Sequence, residues 1–567
     1  MKAKFWILVF TLTSWSAYAQ DIERVVEGGN PFQVSGGVGL TSVVYGASGI
    51  EARRDPFSYF LTGNLNLDLY GISAPLSFSY SNQNVSFQQP FNQFAMSPTY
   101  KNITGHIGFA SMNFSKYTLA GHIFFGGGVE VRDLGDFEVS AMFGRLRKPV
   151  AVDTTDNLNQ PSYRRLGMGV KGKWQKGADM VELIIFRSKD DENSISFAGD
   201  SVVLFPEENL VVGLSAGKKL FEKLTLKFEG ATSALTRNTL DPESNQRGNL
   251  LVSSPFIDNR ISTSSYNAFN TSLNYQVFTG IVGLGYERID PGYQTHGAYF
   301  FNNDIENMTL NVSQAFWKQK VRVSTNVGLQ RNNLQETELN TNERFVGSIN
   351  TSVAASERIT INSSYSNFQS FTNIRSNFLE VDQLTNFDNL DTLNFTQISQ
   401  NATLGASFQL GSSKEIRKGI STNFSLQTTS EERGGNQVGP GSNFYNLNTS
   451  GYYSITPAKL SFTAAFNMNI NDSPESDMLT WGPTLGVFKS WFENTLRGTF
   501  SSSFNATSVD GESAGSVLNF RVGTNYRLKE KHSFNLNFVS LFRNTVRESA
   551  STSFSEHTLN FAYNFSF

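Results

Sequence analysis

The chain ends Glu556-His557-Thr558-Leu559-Asn560-Phe561-Ala562-Tyr563-Asn564-Phe565-Ser566-Phe567. Leu559, Phe561, Tyr563, Phe565 and Phe567 take every second position, and Thr558, Asn560, Ala562, Asn564 and Ser566 fill the gaps. Side chains alternate faces along a strand, so this stretch predicts a strand with one large apolar face and one small polar face. In a water-soluble sheet the apolar face needs a packed layer over it. In a membrane barrel it meets lipid while the polar face meets the lumen.

The same alternation recurs upstream. Leu460-Phe462-Ala464-Phe466-Met468-Ile470 interleaves with Ser461-Thr463-Ala465-Asn467-Asn469, and Val321-Val323-Thr325-Val327-Leu329 with Arg322-Ser324-Asn326-Gly328-Gln330. Leu518, Phe520, Val522 and Tyr526 oppose Asn519, Arg521, Gly523 and Asn525, while Leu496, Phe500 and Phe504 oppose Arg497, Thr499, Ser501, Ser503 and Asn505. No helical period of comparable length appears. Mean hydropathy is only −0.28 because each apolar residue is cancelled by its polar neighbour. Beyond the N-terminus no apolar run reaches the length of a membrane helix. Aromatic content of 13%, with 49 Phe, argues against disorder. A net charge of −3 leaves no nucleic-acid footprint. The chain has no Cys, which excludes disulfides, cysteine-based metal sites and lipid attachment to an N-terminal cysteine.

An aromatic final residue preceded by aromatics at Phe565 and Tyr563 resembles the closing strand of Gram-negative outer-membrane barrels. The resemblance implies that Tyr563, Phe565 and Phe567 are the signal read by the barrel assembly machinery. The N-terminus agrees: a basic start at Lys2 and Lys4, an apolar run from Phe5 to Leu12, and Ala17-Tyr18-Ala19 as a small-x-small cleavage site predict a removed signal peptide over 1–19. The expected fold is all-β, a large antiparallel transmembrane barrel covering 99–567. Residues 20–98 supply a leader, first strands or a small plug. About 22 strands follow Pro98 and two or three precede it, so about 24 are expected, with a range of about 22–26, because barrels of one bacterial chain usually take an even number.

Connection lengths carry a second signal. Tight turns are expected near 175–177, 217–222, 278–280, 317–320, 355–358, 455–458, 489–491 and 528–531. Longer polar stretches lie at 190–205, 237–261, 290–303, 370–393, 430–442, 471–477 and 507–515. Short turns and long loops therefore alternate, as periplasmic turns and extracellular loops do in outer-membrane barrels.

Strand phase predicts which residues face the lumen: His106, His122, Glu130, Lys171, Lys173, Lys227, Glu229, Arg322, Arg497 and Arg521. A charge facing lipid near the midplane costs roughly 2–4 kcal/mol, which favours the inward phase. Lumen charges either set ion preference or fill the lumen as an ion-pair network. His106, His122 and Glu130 suit a metal or a proton relay, but hydrogen bonding inside a packed lumen is the simpler expectation. Gly126-Gly127-Gly128 predicts a place where the N-terminal segment or a loop packs closely. Gly213-Leu214-Ser215-Ala216-Gly217 matches the hydrolase elbow pattern, yet no helix follows it as that mechanism requires. The doublets Arg53-Arg54 and Arg164-Arg165 are expected at solvated strand ends.

The expected function is therefore a passive outer-membrane channel or transporter for a small solute or hydrophobic substrate, with no enzymatic activity, cofactor or metal. The alternatives are a structural subunit of a secretion or surface-assembly complex, or a TonB-linked receptor with a reduced plug. Outer-membrane lipids, the assembly machinery and periplasmic or membrane subunits are the expected partners, and nucleic acid is not.

Overall fold

The computed structural model describes residues 32–82, 92–151, 161–195, 204–244, 251–299, 301–335, 343–367, 370–372, 396–411, 413–429, 432–433, 436–437, 441–547 and 550–567. The expected signal peptide and leader lie outside these residues. Almost everything described is strand, and each strand pairs antiparallel with the strands before and after it in sequence. The sheet has 28 strands, but Gln93–Met96 and Thr99–Tyr100 share one place in the wall, as do Ile359–Ser366 and Ser370–Thr372. The wall thus has 26 positions rather than about 24. The 22 positions from Ile103–Asn113 onward match the periodicity; the surplus is N-terminal. Phe32–Ser48, Phe57–Leu69, Ile72–Ser81 and the broken fourth strand all lie in the wall, so the described part of 20–98 is wall and not plug.

Phe32–Ser48 pairs with Ala550–Ser566 from Gly37↔Ser566 to Ser48↔Ser555 and closes the sheet. Among the described residues this closes the wall without a free edge strand, whose unpaired amides would each cost several kcal/mol in hydrocarbon. Gly36 sits at the seam with φ +132°, and a Cβ there would lie 2.2 Å from the Asn64 carbonyl oxygen. Only glycine fits that approach.

Antiparallel order puts alternate connections at opposite ends. At one end all connections have two to five residues; at the other the first ten have six to 26 and the last three have two to four. The expected long loops at 471–477 and 507–515 are therefore corrected to tight hairpins, closed by Asp472↔Asp477 and Val509↔Glu512. The strands simply extend through polar residues there. Several short turns carry exposed aromatic tips, including Phe221, Phe278 and Trp317, with Phe278 95% exposed.

Face assignment follows from burial. On Asp179–Asp191, Leu183 is 54% exposed, whereas Ile184 is fully buried. Both are apolar, so chemistry does not separate them; Ile184 is covered because its face looks inward onto packed loop residues. Outward positions elsewhere carry exposed Leu, Phe, Val and Tyr, and inward ones carry Asn, Ser, Thr and Gly.

Candidate functional site

The lumen has two unlike sides. Along the wall from Ile103–Asn113 to Gly280–Ile289, two loop-end connections fold inward. The shorter, 114–119, places Tyr117 and Leu119 among Phe124, Ile184, Phe186 and Val211. Inward glycines make room for it, since a Cβ on Gly169 would lie 2.8 Å from the Phe114 ring and one on Gly213 2.8 Å from the Thr118 methyl. The longer, 290–304, runs as a strap across the inner wall. Tyr293 Oη donates to the Tyr117 carbonyl at 2.6 Å and Thr295 Oγ1 to the Thr118 carbonyl at 2.7 Å. Further on, Tyr299 stacks on His122 at 4.1 Å. Each fully buried large apolar side chain in this cluster contributes roughly 1.5–3 kcal/mol, which is what holds the strap to the wall.

A polar chain locks the strap at its middle. His296 accepts at Nδ1 from Ser188 Oγ at 2.7 Å, and its Nε2 faces Glu207 at 3.2 Å. Arg165 donates twice to Asp190, at 2.7 and 2.8 Å, and once to Glu207 at 2.7 Å. Burial, followed by the Arg165 charge, pulls the His296 imidazole down to about 4, so it is neutral at pH 7 with its proton on Nε2. Burial alone would raise the Glu207 carboxyl, but its hydrogen bond and charge interaction with His296 and the Arg165 guanidinium bring it to about 2. Ser188, His296 and Glu207 have the connectivity of a nucleophile, base and orienting acid. Ser188 is 1% exposed beneath the strap, so the arrangement is a latch and not an accessible nucleophile. Arg165 is thus corrected from a solvated strand end to the centre of this latch, while Arg164 points outward to pair with Asp191. The residues of the latch come from four separate segments, and no local pattern joins them.

The residues expected in the lumen are found as follows. His106 Nε2 lies 3.4 Å from Glu130 Oε1, both facing inward, but His122 is engaged separately by Tyr299 and the Ile123 carbonyl. The three do not converge, and no cluster suited to a metal occurs among the described residues. Lys171 Nζ donates to the Asn113 carbonyl at 3.3 Å beside the Phe114 ring, and Lys173 lies 3.4 Å from Glu138. Glu229 accepts from the Lys116 amide at 2.8 Å, and Lys227 shares its face one inward position away. Arg322 sits on the inward row of its strand, hydrogen-bonded to Gln319 at 3.3 Å. Arg497 and Arg521 share inward rows with Ser501 and Asn525. Tyr563 and Phe565 point outward on the seam strand, opposite Leu40 and Val38. The Gly126–Gly128 run is corrected too: it abuts strand neighbours, the Phe143 carbonyl and the Met112 sulfur, and not an inserted segment. Ser215 of the elbow pattern lies mid-strand, opposite Glu182 and Glu229.

The other side of the lumen differs in kind. From Val321–Arg331 round to Ala550–Ser566 the inward rows are mostly Asn, Ser, Thr and Gly, with Asn446 donating to Asn469 at 2.6 Å and Asn448 to Asn467. Among the described residues these rows carry Arg322, Arg417, Arg497, Arg521, Arg527 and Arg543 against two carboxylates, Glu556 and, opposite Val509 at a hairpin end, Glu512. On the strap side, by contrast, carboxylates accompany the cations: Glu138 pairs with Lys173, Glu287 with Lys116 and Glu130 with His106 and Arg132, and Glu229 accepts from the Lys116 backbone amide.

Outside, near the loop end, ion pairs replace the apolar rows: Arg164–Asp191, Arg187–Glu208, Lys189–Asp258 and Arg331–Glu306. Part of the connection 237–262 folds down there, packing Val252 and Ile257 on Leu210 and Ala234.

Closure, strand number and the opposed faces define a large barrel of the Gram-negative outer-membrane type. No family model matches the chain, and no curated protein matches it in sequence. Solved barrels are similar to it in architecture. A chain of the E. coli P pilus tip assembly intermediate PapC-PapD-PapK-PapG shows 10% identity over 93% of this chain and 60% of that one, with a TM-score of 0.43. The copper transporter OprC shows 7% over 94% and 80%, with a TM-score of 0.40. The ferric citrate transporter FecA, unliganded, shows 9% over 94% and 79%, with a TM-score of 0.39. At these values the likeness extends to barrel architecture and no further.

Proposed function

We propose that the protein is a passive outer-membrane channel for small polar solutes, anions in preference, which pass along the arginine-bearing wall beside the fixed strap. The observation that carries this reading is the imbalance of six inward arginines against Glu556 and Glu512 on a wall whose inward rows are mostly neutral amides, hydroxyls and glycines. Fixed charge of one sign along a lumen sets ion preference. The apolar outer rows suit lipid, the ion-pair belt near the loop end suits the headgroup layer, and the aromatic turn tips suit the opposite interface. These features support an orientation with the loop end outside the cell and the turn end in the periplasm. Export through the 1–19 signal peptide and insertion by the assembly machinery belong to the same reading, and catalysis does not.

Recording in planar bilayers tests it. Discrete conductance steps with anion preference are expected. A silent barrel that purifies with a stable partner would favour the secretion or assembly subunit instead. Because the chain has no Cys, single introduced thiols report orientation cleanly. Leu240→Cys in a loop should react with an impermeant reagent on whole cells, and Glu530→Cys in a turn should not; the reverse would invert the proposed orientation.

A further inference from the structure

At the loop end of the seam, the cationic wall forms a small cavity of about 180 Å³ facing the lumen. Residues Arg53 and Arg54, expected as a solvated doublet, come from the 49–56 connection and fold over it. Arg53 lies 5.0 Å over the Phe554 ring and 3.9 Å from Glu556, and Arg54 lies 5.8 Å over the Tyr45 ring. Arg543 enters from the neighbouring strand. Three guanidiniums therefore line the cavity against the single carboxylate of Glu556, which already accepts from Tyr45 Oη.

Much of the remaining lining is apolar. Val517, Val539 and Leu541 face in here and give this stretch of the wall an apolar patch among its polar rows. Thr558 is 2% exposed, lines the same cavity, and its Oγ1 has no hydrogen-bond partner. A buried hydroxyl without a partner costs free energy that a ligand oxygen would return.

We infer that this cavity is a binding site for a small amphipathic monoanion, a carboxylate on a compact aromatic or short aliphatic body. The carboxylate would be held by the guanidiniums, which match it in fork geometry, and by Thr558 Oγ1. The body would lie against Val539, Leu541 and the Phe554 ring. A free phosphate satisfies the charge but leaves the apolar wall unused. The site does not require that the barrel conduct, because binding is read at equilibrium on the folded protein.

The test is equilibrium binding of radiolabelled phenylacetate to the full chain in detergent, with folding checked by heat-modifiable migration. Saturable binding to a single site is expected. Neutral phenylacetamide should fail to compete, and inorganic phosphate should compete at least about tenfold less well. Arg54→Gln/Arg543→Gln should weaken binding at least about tenfold. Leu541→Trp, which fills the cavity and leaves every charge in place, should abolish it; this variant decides the matter should the arginine variant not fold. No saturable binding, equal competition by phenylacetamide, or unchanged binding in a folded variant would each overturn the assignment.

Discussion

The amide of Phe567 donates to the carbonyl of Gly36, and the amide of Gly36 donates back to the carbonyl of Phe567, each at 3.1 Å. This reciprocal pair is the last step of barrel closure at the turn end. Deleting Phe567 removes both bonds, and Gly36→Val drives a side chain into the Asn64 carbonyl at a φ that valine does not adopt. Either change should lower the folded, heat-modifiable fraction several-fold. Asn564→Ser, which alters the inward face of the same strand, should leave it near wild type. Equal folded amounts for all three would show that the seam end does not limit assembly.

The strap should loosen in acid. In the unfolded chain His296 titrates near 6.5 and in the latch at about 4, so the unfolded state binds more protons between those values. The stabilisation is complete above pH 6.5 and is lost as pH falls toward 4, by at most about 3 kcal/mol. Glu207 adds a second loss from pH 4.5 down toward about 2. Hydrogen exchange of the amides within 290–304 should rise across the upper window while wall amides stay protected. A His296→Gln variant should lose that pH dependence; if it retains it, another group controls the strap.

Tyr293 is fully buried and carries the hydrogen bond to the Tyr117 carbonyl. Tyr293→Ala should cost about 3–5 kcal/mol in the local packing, as other aromatic truncations do. The wall has its own pairing, so the barrel should stay folded while the strap detaches. Proteolysis within 290–304 and a larger single-channel conductance are the expected results. A cut strap with unchanged conductance would place the solute path wholly on the arginine side.

Arg497→Glu/Arg521→Glu reverses two charges on the inward rows of adjacent strands. Selectivity should move from anions toward cations, seen as a sign change or a shift of reversal potential in a salt gradient. Unchanged selectivity in an open channel would put the path elsewhere.

Leu284 is exposed on the outward row, between Leu273 and Leu310. Leu284→Arg should destabilise the inserted barrel by about 2–4 kcal/mol, whereas Asn274→Arg on the inward row should cost far less. Unfolding from lipid vesicles in urea measures both, and equal costs would contradict a lipid-facing outer row.

Strand phase was legible in the sequence because it is a local property. A residue next to Val321 and Val323 must face the other way, so Arg322 falls inward without knowledge of any neighbour, and the same holds for Arg497, Arg521, His106 and Glu130. Closure was legible in principle, since the alternating Leu559–Phe567 stretch needs a partner strand. The partner, Phe32–Ser48, was harder to see because Gly36, Gly37 and Gly39 dilute its pattern. Tertiary structure alone decided what occupies the lumen. The strap has no periodicity, and its anchors reach Tyr117 and Ser188 from more than a hundred residues away. Arg165 looked like half of a surface doublet until Asp190 and Glu207 closed around it, and Arg53 and Arg54 gained their place only when the last strand met the first. Alternation fixes the direction of a side chain along its own strand; what it meets there depends on which distant segments the closed wall brings together.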